Sequence, residues 1–414
     1  MASRLVLITH SYPLGGITET PFITPEIGAL ASRFDEVTIL PLNDEAGGSA
    51  LPELPGNVKV DRSLLGAPGR KDKLGLLFHP AVWTHLPGDI PYMRSPRHLR
   101  HAIATSIYTI FYRKKLQKWA VENRIDVNNT LFYTFWFNFA TTALSGIAGA
   151  RIVTRAHGND LYDFRPLFIS HTWRRHDLAG IRGCFVVADM GAKYLRSNYL
   201  EFGDKIGTRR LGTPDPGIRN PETGSKNLTF LSCSRLDPVK RVDNQLRLVK
   251  EWARRNSERE ITWICIGDGP DLPKVEAVAA SLPENLRVEM TGALPNSLVR
   301  EIMAARHVDL LLLLSSSEGC PIVVSEALSY GIPAVGTDVG GMREIVTPES
   351  GLLLSADPDA DEFCRAIDSV IPRLAPLRDS ARSFWERSFD SKTLRENFAD
   401  ELLAICNGNQ KPTK

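Results

Sequence analysis

The chain has 414 residues, of which 43% are hydrophobic and 24% are charged, a composition that excludes a disordered, collagen-like or fibrous protein. The length predicts two domains, because single cores rarely grow past about 250–300 residues. Fifty Lys and Arg against 48 Asp and Glu leave a net charge of +2, which excludes nucleic-acid binding through the whole surface. Six widely spaced cysteines predict a reduced, cytosolic compartment.

Apolar strand-like runs alternate with helical patterns from the amino terminus onward. Residues 4–9 hold too short an apolar run for a signal peptide and predict a first buried strand. Residues 127–150 carry no charge, which would also suit a membrane span. Their Asn and Thr side chains, and a change from aromatic to small residues, favour a buried strand followed by a helix.

A second alternating series begins at residue 228, after a stretch rich in Pro, Gly and Asn. The alternation predicts an α/β protein with two doubly wound, Rossmann-like domains that face each other across a ligand-binding cleft. The tail carries apolar residues at helical spacings and is expected to pack back on the body. The predicted division is 1–212 for the first domain, 213–227 for a linker, 228–375 for the second domain and 376–414 for C-terminal helices that return to the first domain.

The densest chemical signal follows the apolar run that ends at Leu314. Ser315–Ser317 lead into Glu318, Gly319, Cys320 and Pro321, after which a helix opens with Ile322 and Val323. Free amides in the first turn of that helix, together with the helix dipole, predict an anion site.

Two glutamates, Glu318 in this loop and Glu326 in the helix, can address different parts of one ligand. A nucleotide sugar fits both carboxylates and the anion site, because its ribose and its hexose each offer neighbouring hydroxyls. A loop cap for Glu318 and a surface salt bridge for Glu326 are the simpler alternative.

Three further segments follow predicted strands. Arg235 and Lys240 flank an Asp-Pro turn and can grip a diphosphate, although a solvated basic turn has the same composition. His157 and Asp160, in the segment AHGND, can hydrogen-bond a sugar hydroxyl or act on an acceptor proton. The pair Gly15 and Gly16 would let the backbone approach a phosphate, or would simply form a tight turn.

Taken together, EGCPIVVSEAL, the Arg235–Lys240 spacing, the glycine pair and AHGND resemble the family 4 retaining glycosyltransferases of the GT-B architecture. The resemblance covers essentially the whole chain and is strongest over residues 228–354. The segments ETPFITPEI, YTFWFNFATTAL and RAHGNDLY are similar to the bacterial branch that builds exopolysaccharide, capsule or lipopolysaccharide.

The resemblance implies an acceptor-side first domain and a second domain that binds a UDP- or GDP-sugar, without a metal ion or other cofactor. It assigns ribose to Glu326, donor-sugar hydroxyls to Glu318, and the diphosphate to Arg235 and Lys240, with His157 near the reacting carbon. The implied catalytic residues are His157, Glu318, Arg235 and Lys240. The implied donor-binding residues are Gly15, Gly16, Arg235, Lys240, Gly292, Glu318, Gly319, Cys320, Pro321, Ile322, Val323 and Glu326.

Residues 90–121 contain no acidic side chain and interleave basic with apolar residues. This pattern predicts a basic amphipathic helix that docks on anionic lipid, although a solvated helix face is an alternative. A cytoplasmic enzyme on the inner face of the plasma membrane would suit a lipid-linked acceptor, which the resemblance implies. The expected acceptor or membrane residues are Asp160, Arg94, Arg97, Arg100, Arg113, Lys114 and Lys115.

Two other functions fit parts of the pattern. A nucleotide-sugar epimerase of the same architecture would also bind a diphosphate and two sugar rings, but it gives no reason for the glutamate spacing. A nonenzymatic nucleotide-sugar-binding protein would not need the complete set of donor residues.

Overall fold

The computed structural model describes residues 3–15, 19–45, 52–84, 96–158, 160–162, 173–222, 227–319 and 321–408. The chain divides into two compact units. The first unit comprises Met1–Arg210 and Arg395–Lys414, and the second comprises Leu211–Leu394.

In its described residues, the first unit is built on a seven-stranded sheet with the order β3-β2-β1-β4-β5-β6-β7. All pairings are parallel, and Leu5 of the first strand in the chain is in register with Val37 on one side and Leu131 on the other. The strands are β1 Arg4–Thr9, β2 Glu36–Pro41, β3 Val58–Val60, β4 Thr130–Thr134, β5 Arg151–Ala156, β6 Gly183–Val186 and β7 Ile206–Thr208. The helices are α1 Thr20–Ala31, α2 Arg70–Leu77, α3 Pro80–Trp83, α4 Pro96–Glu122, α5 Phe139–Ser145, α6 Arg174–Gly180 and α7 Asp189–Asn198, with a 3₁₀ helix at Leu200–Lys205.

The second unit has a six-stranded parallel sheet with the order β10-β9-β8-β11-β12-β13 in its described residues. The strands are β8 Leu228–Cys233, β9 Ile261–Ile266, β10 Leu286–Gly292, β11 Leu310–Leu313, β12 Ala334–Thr337 and β13 Gly351–Leu354. The helices are α8 Val242–Arg255, α9 Leu272–Ala279, α10 Asn296–Ala305, α11 Ile322–Ser329, α12 Ala360–Val370 and α13 Leu374–Ser388, with 3₁₀ helices at Gly340–Glu344 and Ile371–Arg373.

Continuous apolar strands explain both sheets. Every residue of β4 and of β11 is buried, as expected for parallel strands that are covered on both faces. The predicted class, two Rossmann-like α/β domains, is therefore confirmed. The uncharged stretch 127–150 contains β4 and α5, and no helix in the described ranges is both long enough and apolar enough to cross a bilayer.

The last helix, α14 (Ser391–Cys406), carries the chain back to the first unit, which confirms the predicted packing of the tail. Phe398 joins the core of that unit, with its ring centroid 5.1 Å from that of Phe185. Helix α13 instead stays in the second unit, because Trp385 is buried there and donates its indole N–H to Thr213 Oγ1 at 2.8 Å. The return thus begins at Arg395, later than position 376.

Part of the predicted linker 213–227 is packed structure of the second unit. The buried Asn220 side chain donates to the carbonyls of Met303 and Arg306, both at 2.7 Å, and accepts from Val308 N at 3.0 Å. These bonds replace the hydration that an exposed linker would keep.

Candidate functional site

Strands β8 and β11 are neighbours, and the loops at their carboxyl ends meet in the second unit. Lys240 Nζ lies 2.6 Å from Glu318 Oε1. The Glu318 side chain is only 8% exposed and that of Lys240 is 22% exposed, so this is a largely buried ion pair. Ser316 N also donates to Val239 O at 2.8 Å, which ties the two loops together through their backbones. The structure therefore brings together two residues that the sequence assigned to one ligand.

Two arginines near this ion pair, Arg241 and Arg235, differ in their contacts. Arg241 adopts a left-handed backbone conformation (φ 49°) and donates to the carbonyls of Leu314 and Ser315, both at 3.0 Å, so it anchors the end of β11. Arg235 is exposed, and its side chain forms no hydrogen bond or ion pair with any residue that the structure describes. Its guanidinium is thus available for a ligand.

Glycines let neighbouring loops touch around this site. Gly340 has φ +55°, and a Cβ there would lie 1.8 Å from the carbonyl oxygen of Glu318. Gly341 N donates to that same oxygen at 3.2 Å. On the other side, a Cβ at Gly267 would lie 1.9 Å from Ser234 O. Both loops that carry the predicted donor residues are therefore held by backbone contacts that a side chain would block.

Glu326 is buried in α11, which Pro321 opens as its N-cap residue. The Asn296 amide donates to Glu326 Oε1 at 2.8 Å. Burial raises the pKa of Glu326, whereas the hydrogen bond from Asn296 and the charge of Arg300 act in the opposite direction.

The other predicted donor-binding residues lie near the same loops or strand ends. Gly292 ends β10 with φ +72°, and its carbonyl accepts from Gly267 N at 2.9 Å. Ile322 and Val323 are half-buried in the first turn of α11, and Gly319 is half-exposed. Cys320 lies outside the described residues.

In the first unit, His157 follows β5 and is held by Asp160. Asp160 accepts from His157 N at 2.6 Å and from Phe137 N at 2.9 Å. Burial opposes ionisation of this carboxyl, yet hydrogen bonds from His157 and Phe137 hold the pKa of Asp160 below its usual range. Asp160, expected to face the acceptor, instead points inward and positions the histidine.

The His157 imidazole lies against two aromatic rings. Ring centroids are 4.5 Å apart for Trp136 and 4.8 Å apart for Phe135. Its Nδ1 is 3.6 Å from Asp160 Oδ2, and both ring nitrogens are buried without a hydrogen bond to the described residues. Buried polar atoms normally have partners, so these nitrogens are candidates for contact with a ligand.

Glu19 is a residue of this site that sequence reasoning missed. Its fully buried carboxylate accepts from the backbone amides of His10, Ser11 and Tyr12 at 2.7–2.8 Å and from Trp136 Nε1 at 2.6 Å. It therefore fixes both the loop after β1 and the ring that faces His157. The only sequence signal was an acidic residue shortly after the predicted glycine pair. Gly15 in that loop has φ +101°, and Gly16 lies outside the described residues.

The basic residues of α4 divide into two groups. Arg97, Arg100 and Lys114 are exposed. Arg113 donates to Ala143 O at 3.2 Å and Lys115 to Leu65 O at 2.8 Å, and burial lowers the pKa of both. These two cations bind backbone carbonyls of their own unit rather than facing solvent. Arg94 lies outside the described residues.

The fold is shared with solved glycosyltransferases. The structure of the lipopolysaccharide outer core galactosyltransferase WaaB, in its apo form, aligns over 97% of this chain and 99% of its own with a TM-score of 0.64 and 17% identity. The structure of Anabaena Alr3699/HepE in complex with UDP aligns over 97% and 99% of the two chains with a TM-score of 0.62 and 18% identity. The chain is thus an α/β protein of the GT-B architecture.

Residues 218–380 match the sequence model of the family described as Glycosyl transferases group 1, and this confirms the glycosyltransferase resemblance for the second unit. Over 152 residues the chain is 32% identical to a phosphatidylinositol N-acetylglucosaminyltransferase subunit of Arabidopsis thaliana, covering 36% of this chain and 33% of that protein. Over 156 residues it is 32% identical to the lipopolysaccharide 1,6-galactosyltransferase of Salmonella typhimurium, covering 36% and 42%. The chain spans between 31% and 41% of the length of the first three curated relatives it matches.

Proposed function

We propose that this protein is a retaining glycosyltransferase that moves a sugar from a UDP- or GDP-sugar to a hydroxyl of a saccharide or lipid-linked acceptor, without a metal ion or other cofactor. The observation that carries the proposal is the meeting of Lys240 and Glu318 at adjacent strand ends, inside the part of the chain that matches the glycosyltransferase family. The names of the relatives, which include a galactosyltransferase and an N-acetylglucosaminyltransferase, support sugar transfer.

Arg235 and Lys240 would bind the diphosphate and stabilise the negative charge that develops as it leaves. Arg235 is exposed and available, and an ammonium has three N–H groups, so Lys240 can keep Glu318 and still donate to a phosphate oxygen. Glu318 and Glu326 would accept hydrogen bonds from the donor sugar and from ribose, and His157 would contact the donor sugar.

In the proposed reaction, the bond between the anomeric carbon and the phosphate oxygen breaks, and its electron pair stays on the diphosphate. The acceptor oxygen then forms a bond to the anomeric carbon on the same face. Its proton passes to the departing phosphate oxygen, so no protein nucleophile is required.

The test is a panel of UDP- and GDP-sugars, assayed for nucleotide release and for thermal stabilisation, since a ligand that binds only the folded state raises apparent stability. Arg235→Ala should abolish most release while leaving the unfolding temperature unchanged. Arg254→Ala is the matched control, because this arginine is also exposed in the second unit (59%) but lies in helix α8. Full activity of Arg235→Ala would overturn the assignment, and interconversion of sugars without transfer would favour the epimerase.

We further propose that an exposed surface on α2–α4 docks on anionic lipid at the inner face of the plasma membrane. Phe78 is 83% exposed, Leu74 63% and Trp83 46%. Lys73 and Arg100 line an adjoining groove of about 340 Å³ whose other walls include Ile103, Ile107 and Tyr108. Exposed aromatic and aliphatic side chains beside cations are suited to the lipid headgroup region.

This proposal predicts binding to phosphatidylglycerol-containing vesicles that weakens as salt is raised. Arg97→Glu/Arg100→Glu should reduce binding, as should Phe78→Ser. Lys118→Glu is the control, because this exposed lysine lies on α4 several turns away. Absence of vesicle binding at low salt would contradict the proposal.

A further inference from the structure

The Glu326 carboxylate is held by one neutral side chain from another helix. Asn296, the first residue of α10, donates its amide to Oε1 at 2.8 Å. Among the described residues no other hydrogen bond reaches this carboxylate, so Oε2 and one lone pair of Oε1 remain available. Glu326 is buried, whereas Asn296 itself is exposed.

The titratable and charged groups around Glu326 come from three elements. Arg300 lies one turn after Asn296 on α10 and adds a positive charge, without an ion-pair partner among the described residues. Tyr330 follows α11 and Cys233 ends β8, and each interacts electrostatically with Glu326. Burial raises the pKa of the thiol of Cys233 to about 12, so this group stays neutral beside the carboxylate at neutral pH.

We infer that Asn296 is a positioning residue, which turns the Glu326 carboxylate so that its remaining acceptor sites face the paired hydroxyls of a ribose. The inference rests on the proposed function, which assigns Glu326 to the ribose. The terminal torsion of a glutamate has a broad energy profile, so a bond to one oxygen is what fixes the plane of the carboxylate.

A neutral donor suits this task. A lysine or arginine at position 296 would form an ion pair that offsets the negative charge of the carboxylate, and an arginine could occupy both of its oxygens at once. The amide orients Glu326 and leaves its negative charge for the two hydroxyls.

The experiment compares the binding of UDP and GDP with that of their 2′-deoxy forms to the wild type and to Asn296→Ala, by calorimetry. Loss of one orienting hydrogen bond should weaken binding of the ribonucleotide by roughly fivefold to tenfold. The same substitution should change the affinity for the 2′-deoxynucleotide by less than about twofold, because this ligand lacks one of the two hydroxyls that donate hydrogen bonds to the carboxylate. Equal effects on both nucleotides would overturn the inference.

The pH profile gives a second measurement. The Asn296 hydrogen bond favours the ionised form of Glu326, so its loss raises the pKa of this carboxyl further. Ribonucleotide affinity should then begin to fall at a higher pH in Asn296→Ala than in the wild type as the solution is acidified. If ribonucleotide affinity falls at the same pH in both proteins, Asn296 does not act through Glu326.

Two variants serve as controls. Ser297→Ala removes an exposed polar side chain from the same helix and should leave affinity unchanged. In a Glu326→Ala background, which removes the acceptor of the Asn296 amide, Asn296→Ala should have no further effect on ribonucleotide binding, whereas additive losses would overturn the inference. If the wild type binds neither UDP nor GDP, the proposed function itself fails. If the wild type binds and Asn296→Ala binds equally well, only the inference about Asn296 fails.

Discussion

Gly340→Ala tests how the loop that carries Glu318 is held in place. The added Cβ would lie 1.8 Å from the carbonyl oxygen of Glu318 and 2.8 Å from its carbonyl carbon. Non-bonded heavy atoms are at their optimal separation only near about 3.5–4.0 Å, so the two backbones must separate by about 1 Å or more. The methyl cannot avoid the contact by rotating, because a Cβ is fixed to the backbone.

The expected loss has two parts. A left-handed conformation costs a non-glycine residue about 1–2 kcal/mol, and overpacking adds about 1–3 kcal/mol, so the free energy of unfolding should fall by about 2–5 kcal/mol. A displacement of about 1 Å at Glu318, and through it at Lys240, should lower kcat/KM by about 100-fold.

Urea unfolding and initial rates of nucleotide release measure the two effects separately. Gly331→Ala is the matched control, since this glycine also has a positive φ (+75°) but a Cβ would lie 3.2 Å from the carbonyl of Arg378, outside the candidate site. It should lose about 1–2 kcal/mol of stability and keep its activity. Wild-type kcat/KM in folded Gly340→Ala would refute the reasoning.

Three further predictions concern buried carboxylates of the first unit. Glu19→Gln should lower the free energy of unfolding by about 2–3 kcal/mol, because hydrogen bonds to a charged acceptor are lost; unchanged urea unfolding would contradict this. Arg155→Met should cost about 3–5 kcal/mol by leaving Glu26 buried without its partner at 2.6 Å, and Arg155→Met/Glu26→Leu should recover most of that loss in the same assay. The pKa of Asp160 is lowered in the folded protein. The ionised carboxylate therefore contributes to the free energy of unfolding above its unfolded pKa of about 4, and this contribution is lost as the pH falls through the folded-state pKa. Asp160→Asn should therefore be less stable than the wild type at pH 7 and about as stable near pH 2. A difference in the free energy of unfolding that does not change with pH would contradict this role of the Asp160 carboxylate.

The fold could be predicted from the sequence because parallel strands that are covered on both faces consist of continuous apolar residues. The runs 228–233 and 310–314 marked two strands, and the polar residues after each run marked their carboxyl ends. Neighbouring parallel strands present those ends at one edge of a sheet. This is why Lys240 and Glu318, 78 positions apart in the chain, could be assigned to one ligand before their contact was known.

Side-chain direction could not be predicted with the same security. Lys240 and Arg241 are adjacent cations, yet Lys240 pairs with Glu318 while Arg241 turns to the carbonyls at the end of β11. The difference comes from the left-handed backbone at Arg241, for which an arginine gives no sequence signal. Asn296 was missed for a related reason, since its partner lies on a separate helix.

The spacing of residues along helix α4 indicates which of its cations lie near the interior. Leu116 and Trp119 lie on its buried face, and Arg113 is three residues before Leu116, which places it beside that face. The charge pattern alone placed Arg113 and Lys115 with the other cations on the lipid-facing side of a basic amphipathic helix. The backbone carbonyls that bind Arg113 and Lys115 belong to other segments, so the sequence could indicate that these cations lie near the interior but not what they contact.

The two glutamates of the candidate site are held in different ways, and the difference suits what each is proposed to bind. Glu318 is paired with a cation that has N–H groups to spare, so a diphosphate can join the pair without separating it. Glu326 has a neutral donor at one oxygen, so its charge is not neutralised by a direct ion pair with a described residue. A cation at both positions would weaken the hydroxyl contacts at Glu326, and a neutral donor at both would leave the diphosphate with Arg235 alone. The division of one cation and one amide between two acids therefore fits the proposed ligand, which carries both phosphates and sugar hydroxyls.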